Sequence, residues 1–142
     1  MSERNVELLR RFDEAFNARD IEALIALFDP DIELHSAFAA VGGAIYHGHD
    51  EMRRWHRDLQ ETWGEDIHVE PEVYFDLGGE HTLTFYLYHA RGRHSGAEAV
   101  MPATPLVRWR DGLMTYVKVY LDRADALRDL GVSEDELEPI AP

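Results

Sequence analysis

An α+β domain is what this sequence predicts, with helices laid on one face of a curved, mainly antiparallel sheet, and three observations predict it. Helical spacing of apolar residues dominates the first 63 positions, and period-two alternation dominates residues 67–122. Gly78-Gly79 and Asp111-Gly112 then mark two-residue hairpin turns between the later strands. Three helices interleaved with one short strand, followed by a four-stranded meander, bury their apolar faces by packing helices on sheet.

Each element follows from its own pattern. Residues 3–17 set Leu8, Leu9, Phe12, Ala15 and Phe16 on one helical stripe. Asp20 caps a shorter helix through Ile21, Leu24, Ile25 and Phe28, which has to stop near Asp29 because Pro30 pushes the residue before it out of helical conformation. A brief strand over 32–36 leads into an apolar loop over 37–48 whose Gly42 and Gly43 let it cover a cavity. A third helix over 49–63 buries Met52, Trp55, His56, Leu59 and Trp63 and turns Arg53, Arg54 and Arg57 outwards as a solvated face; Gly64 ends it.

The strand over 67–77 carries Val69, Val73, Phe75 and Leu77 on one side. Its partner over 81–91 carries Leu83, Phe85 and Leu87 on one side and Thr84, Tyr86 and Tyr88 on the other. The next strand, 97–110, has to be bulged or unpaired on one side at Pro102 and Pro105, which lack the N–H a ladder needs. Asp122 caps a last short helix through Ala126, Leu127 and Leu130, closed by Gly131, and Ser133 with Glu136 offers a capping box before a loose tail. The expected organisation is one domain over 1–132 and a C-terminal tail over 133–142.

Composition narrows the function classes. Acids outnumber bases 28 to 14, a formal charge of −14, which repels phosphate backbones and anionic membrane surfaces, so neither nucleic acid nor membrane is an expected partner. The absence of cysteine removes disulfides, thiolate nucleophiles and zinc–thiolate sites together. It also fits a reducing compartment; with a charged N-terminal stretch and no apolar run of membrane length, the expected location is the cytoplasm. Eight histidines invite a metal reading, but the closest pair, His47 and His49, has no matched third ligand in sequence, so neither metal nor cofactor is expected. The basic turn over 91–96 is explained by hairpin geometry without an anion.

The strand over 113–122 is the sharpest anomaly. Leu113, Val117, Val119 and Leu121 form one face, and Tyr116, Lys118, Tyr120 and Asp122 the other; Lys118 is the one lysine of the chain. An ammonium between two tyrosines is either a structural ion pair or part of a site.

Phe16-Asn17-Ala18-Arg19-Asp20, Ala26-Leu27-Phe28-Asp29-Pro30-Asp31-Ile32, Tyr46-His47-Gly48-His49-Asp50-Glu51-Met52 and Trp109-Arg110-Asp111-Gly112 come in an order and spacing that resemble the nuclear transport factor 2-like superfamily, in its SnoaL-like and ketosteroid-isomerase-like branch. The resemblance covers residues 4–128. It implies a cone whose concave sheet and helices enclose an apolar pocket, commonly in a dimer. It does not specify an activity, since the superfamily holds isomerases, cyclases, dehydratases, epoxide hydrolases and binding domains. Three positions count against the isomerase's own mechanism: its helix-one tyrosine matches Phe12, its catalytic aspartate falls near Ser36, and its protonated acid falls near Pro105.

Inside such a cone Tyr86, Tyr88, Tyr116, Lys118 and Tyr120 are expected to face the cavity, joined by Trp55 and His56. Lys118, Tyr120, Tyr88 and His56 are the candidate catalytic groups: tyrosine hydroxyls for a developing oxyanion, Lys118 as their support, a base or a Schiff-base amine, and His56 at a pocket-wall position, while His35 at the end of the first strand is the natural proton shuttle. Tyr86, Tyr116, Trp55 and His35 are the candidate ligand contacts, although alternation turns His35 away from Leu34 and Ser36. The bland alternatives stay open, namely rim tyrosines, a Lys118 ion pair with Glu98 or Asp122, and a core histidine. The expected function is a cofactor-independent isomerase, cyclase or dehydratase acting by proton transfer on a small apolar carbonyl or polycyclic molecule. The alternative is a non-catalytic ligand-binding or dimerisation module. A homodimer through the outer sheet face is expected, because Val, Leu and Phe on that side need cover.

Overall fold

The computed structural model describes residues 2–37, 43–91 and 96–142. Helices α1 (Ser2–Asn17), α2 (Ile21–Ile25) and α3 (Gly48–Trp63) alternate with strands β1 (Phe28–Ser36) and β2 (Ala44–His47). The meander β3 (His68–Gly78), β4 (His81–Arg91), β5 (Glu98–Arg110) and β6 (Leu113–Tyr120) follows, then α4 (Arg123–Leu130), a 3₁₀ turn over Glu134–Glu136 and a short β7 (Pro139–Ile140). The strands form one curved, open sheet in the order β2-β1-β6-β5-β4-β3-β7. All neighbours are antiparallel except β1 and β6. The α+β class is as the alternation of periods implies.

The Asp111-Gly112 turn falls where expected, whereas the Gly78-Gly79 signal acts one residue later, because Gly78 still pairs with His81 and the turn is made by Gly79 and Glu80. Gly79 and Glu80 have φ of +57° and +63°, and Asp111 and Gly112 +53° and +79°, so each turn places two left-handed residues between its strands, as a type I′ turn requires. Asp122 accepts a bond from the Ala124 amide at 2.8 Å and Gly131 closes α4 at φ +71°. The Ser133–Glu136 capping box is present.

Register decides which face each strand turns inwards, because directly paired residues share a face. Lys118 pairs with Leu106, and Leu106 with Leu83, whereas Val117 pairs with Val107, and Val107 with Thr82. The second row is the inner one. It joins the main core, where Leu9 and Phe16 of α1 and Trp55 and Leu59 of α3 pack on Tyr86, Tyr88, Val107 and Val117. The first row faces outwards, where Phe75, Leu83, Phe85 and Ala126 form a second core under α4 and Leu137. The chain therefore covers much of its own outer apolar face, which corrects the premise that only a partner subunit can do so.

Other departures have local causes. In β3 a register shift between Pro71 and Val73 reverses the alternation, so Val69 and Tyr74 point inwards while Val73, Phe75 and Leu77 point outwards. The β4–β5 ladder skips Thr84 and Phe85 opposite Thr104 and Pro105 but pairs Leu87 with Pro102, so the expected gap occurs at one proline and not the other. β1 begins at Phe28, four residues early, because α2 ends at Ile25 and the Met114 amide bonds to the Leu27 carbonyl at 2.9 Å. Ala44–His47, expected in a loop, pairs with β1 as an edge strand. The tail expected to be loose is tied down: Pro139 and Ile140 pair with Phe75 and Tyr74, and Arg10 bonds to the Ala141 carbonyl at 3.0 Å. The cavity-covering loop and the basic turn lie partly outside the described residues, at 38–42 and 92–95.

Candidate functional site

Inside the concave face lies an apolar cavity of about 30 Å³, room for roughly one or two water molecules. Phe12 from α1, Phe28 from β1, Trp55 from α3, and Tyr86 and Tyr88 from β4 supply an aromatic wall, and Pro105, Met114, Val117 and Val119 complete it. Phe12, Phe28 and Trp55 pack with ring centroids 6.1 to 6.5 Å apart, Phe28 meeting both neighbours edge-on. The positions aligned with the isomerase tyrosine and protonated acid, Phe12 and Pro105, do line this cavity, without the chemistry of those groups.

The acid is supplied from elsewhere. Asp13 lies on the inward stripe of α1, four residues after Leu9 and three before Phe16, and is 6% exposed. Its Oδ2 accepts from the Tyr74 hydroxyl at 2.5 Å, and its Oδ1 accepts from the Tyr86 hydroxyl. Burial pushes the carboxyl up from 3.8 to about 7, against the opposing pull of the two tyrosine hydrogen bonds and of Arg10. Arg10 itself lies 5.6 Å over the Tyr74 ring. Burial also raises Tyr86 and Tyr88 well above the ordinary phenol range, with nearby Asp13 adding to both. Two long-range anchors fix this side of α1: Asn17 donates to the Val69 carbonyl at 3.0 Å and accepts from the Val69 amide at 2.8 Å.

The structure thus brings Tyr86, Tyr88 and Trp55 together at the cavity and adds Asp13 and Tyr74, which the sequence reading did not single out. The available signal was an aspartate set in the middle of an apolar helical stripe. His56 is half-buried beside Phe16 and Trp55, at 6.2 and 6.4 Å between centroids, behind the cavity wall; burial and then Arg19 hold its imidazole below the ordinary value.

The other expected contacts are corrected as to face. Lys118, Tyr116 and Tyr120 lie on the outer side of β6, because their cross-strand partners are Leu106, Arg108 and Thr104 rather than the inward Val107 and Pro105. Lys118, its side chain 42% exposed, stands 3.7 Å from Asp129 and 4.8 Å above the Tyr120 ring. Tyr120 donates to the same Asp129 at 2.8 Å. The carboxylate partner is on α4 and is neither Glu98 nor Asp122. Tyr116 carries Arg108 at 5.4 Å and His35 at 5.3 Å, and His35 bonds to Glu33 at 2.6 Å on that same side. Among the described residues no three His, Asp or Glu side chains converge as a metal site requires.

With this geometry in hand, comparison with known proteins places the chain. Several solved structures share the fold. A nuclear transport factor 2-like protein of unknown function from Burkholderia pseudomallei is 22% identical with a TM-score of 0.74, the match covering 88% of this chain and 95% of that one. A protein from Catenulispora acidiphila with a ketosteroid isomerase-like fold, in complex with trimethylamine, is 21% identical with a TM-score of 0.70 over 91% and 95% of the two chains. A putative polyketide cyclase from Xanthomonas campestris is 18% identical with a TM-score of 0.70 over 89% and 96%. No curated protein matches the sequence. The model of the SnoaL-like domain matches residues 9–117, most of the chain and nearly every residue that builds the cavity, and the chain belongs to that family.

Proposed function

We propose that this protein is a cofactor-independent enzyme that activates a small, largely apolar carbonyl compound by proton donation, in the manner of an isomerase, cyclase or dehydratase. The observation that carries the reading is the Asp13–Tyr74–Tyr86 cluster set against an aromatic cavity. The carbonyl oxygen would sit against the Tyr86 and Tyr88 hydroxyls, donors held in a dry site where they stabilise developing negative charge far better than water does. As the substrate's own enol attacks that carbonyl, one C–C bond forms and the carbonyl π bond breaks. The new alkoxide takes the Tyr86 proton, Asp13 resupplies Tyr86, and the proton lost by the enol oxygen restores Asp13. A carboxyl that titrates near 7 is matched to such a task. Tyr86 and Tyr88 are the catalytic groups here; Asp13 and Tyr74 act through Tyr86, with Trp55 as a wall and His56 behind it. Polyketide cyclase-like neighbours are consistent with a polycarbonyl substrate. At about 30 Å³ the cavity has to open before such a molecule enters.

The test is a thermal-shift and turnover screen of small diketones and polyketide-like carbonyls on the parent and on Tyr86→Phe. Stabilisation and turnover of some member of the set by the parent, lost in Tyr86→Phe, is the expected result. Equal response of both proteins would refute the assignment.

A second reading, non-catalytic binding of a small methylated amine, is favoured by the same wall: five aromatic rings face the cavity and the Asp13 carboxyl stands behind Tyr86, an arrangement that suits a cation. The structural neighbour holding trimethylamine supports it. We further infer a cytoplasmic homodimer, formed through the part of the outer face that α4 leaves open, around His35, Tyr116 and Lys118. Sedimentation as a 16.4 kDa species at micromolar concentration would contradict the dimer.

A further inference from the structure

The Asp13 cluster has a hydrogen count that fixes what the cavity can hold. An ionised carboxylate accepts and cannot donate. While Asp13 is ionised, the Tyr74 and Tyr86 hydrogens are both committed to it, one on each carboxylate oxygen. Tyr86 is the member of the trio on the cavity wall, and in that state it turns only lone pairs towards a ligand. One added proton changes the arrangement. The carboxylic acid now carries a hydrogen of its own, and the hydroxyl facing the oxygen that bears it can no longer donate there. The order that satisfies every oxygen has Asp13 donating to the Tyr86 oxygen and Tyr74 still donating to Asp13, which releases the Tyr86 hydrogen into the cavity. Tyr74 lies off the cavity wall, so a ligand gains nothing from the reverse order.

We propose that the proton on Asp13 sets the polarity of the cavity: protonated, Tyr86 is a donor and the site takes a hydrogen-bond acceptor such as a ketone; ionised, Tyr86 is an acceptor and the site takes a donor or cation. Binding of a ketone at alkaline pH therefore carries a proton in with it. This inference rests on the carbonyl reading above and adds its control. The titratable and charged groups facing Asp13 are Tyr74 from β3, Tyr86 and Tyr88 from β4, and Arg10 and Glu14 on its own helix. Arg10 favours the ionised form and Glu14 the protonated one, and burial outweighs the difference between them. The switch therefore works close to neutral pH.

The experiment uses cyclopentanone as probe, with affinity measured by NMR shift titration at pH 6 and pH 8 and proton uptake by pH-stat at pH 8. The expected result for the parent is an affinity about tenfold lower at pH 8, with nearly one proton taken up per molecule bound. Asp13→Asn, whose amide can donate to the Tyr86 oxygen at any pH, is expected to bind equally at both pH values with no uptake. If that variant does not fold, the proton count of the parent decides alone. Equal affinity at both pH values without proton uptake overturns the switch while leaving the carbonyl site standing. No binding by the parent at either pH overturns both.

Discussion

The two faces of the sheet each carry a tyrosine–aspartate pair, and the pairs differ in nearly everything but chemistry. On the inner face Tyr86 donates to Asp13, which is 6% exposed and shared with Tyr74. On the outer face Tyr120 donates to Asp129 at 2.8 Å, with Lys118 3.7 Å away and all three in contact with water. Burial raises the inner carboxyl to about 7, whereas on the outer face water and a neighbouring ammonium screen the charge. Residue type alone therefore does not make a site here. The anomaly most visible in sequence, Lys118, belongs to the screened pair, and the chemically poised group is an aspartate that sequence makes look ordinary.

The contrast can be broken most forcefully by deletion. Asp13→Ala leaves the Tyr74 hydroxyl without its acceptor and the Tyr86 oxygen without its donor in a dry interior and is expected to cost about 2 to 5 kcal/mol at pH 5, read from urea unfolding. Asp129→Ala should cost less than about 1 kcal/mol. Equal losses would erase the distinction between the faces.

Acidity sharpens the comparison next. The folded chain keeps the Asp13 proton to about 7, while the unfolded chain releases it near 3.8. The stability this contributes is complete below about pH 4 and is lost as pH rises to about 7, by up to about 4 kcal/mol. Urea midpoints of the parent relative to Asp13→Asn should fall across that window and level off above it. A parent that instead gains on the variant with rising pH would reverse the sign and remove the burial argument.

The smallest effect belongs to Lys118. With its side chain 42% exposed, Lys118→Met is expected to change stability by less than about 1 kcal/mol and to leave carbonyl binding as in the parent. Loss of binding in this variant, with folding intact, would return the site to the outer face.

These contrasts also show what was legible beforehand. Periods, caps and glycine turns are local, so the helices, the meander and both hairpins could be read from the chain. So could the two chemically distinct faces of β6. Which face looks inwards is not local: it is set by the pairing of Lys118 with Leu106 and of Val117 with Val107, and a single strand does not contain its register. The bulge after Pro71 likewise reverses β3 midway, which placed Tyr74 beside Asp13 against the alternation. Tyr86 and Tyr88 were found because β4 keeps its alternation throughout. Asp13 was passed over because an acid on a helix usually belongs to its wet side. Its position between Leu9 and Phe16 was the available clue, but the tyrosines that complete it lie 61 and 73 residues further on.

The central claim is that a buried carboxyl near neutrality backs the cavity tyrosine, and the titration of the Asp13 carboxyl tests it most directly. Followed by carbon-detected NMR on protein labelled at aspartate, the Asp13 signal is assigned through Asp13→Asn. The account predicts a midpoint close to 7 with the Tyr86 ring signals moving in step. A midpoint near 4, with Tyr86 indifferent to it, would contradict the account.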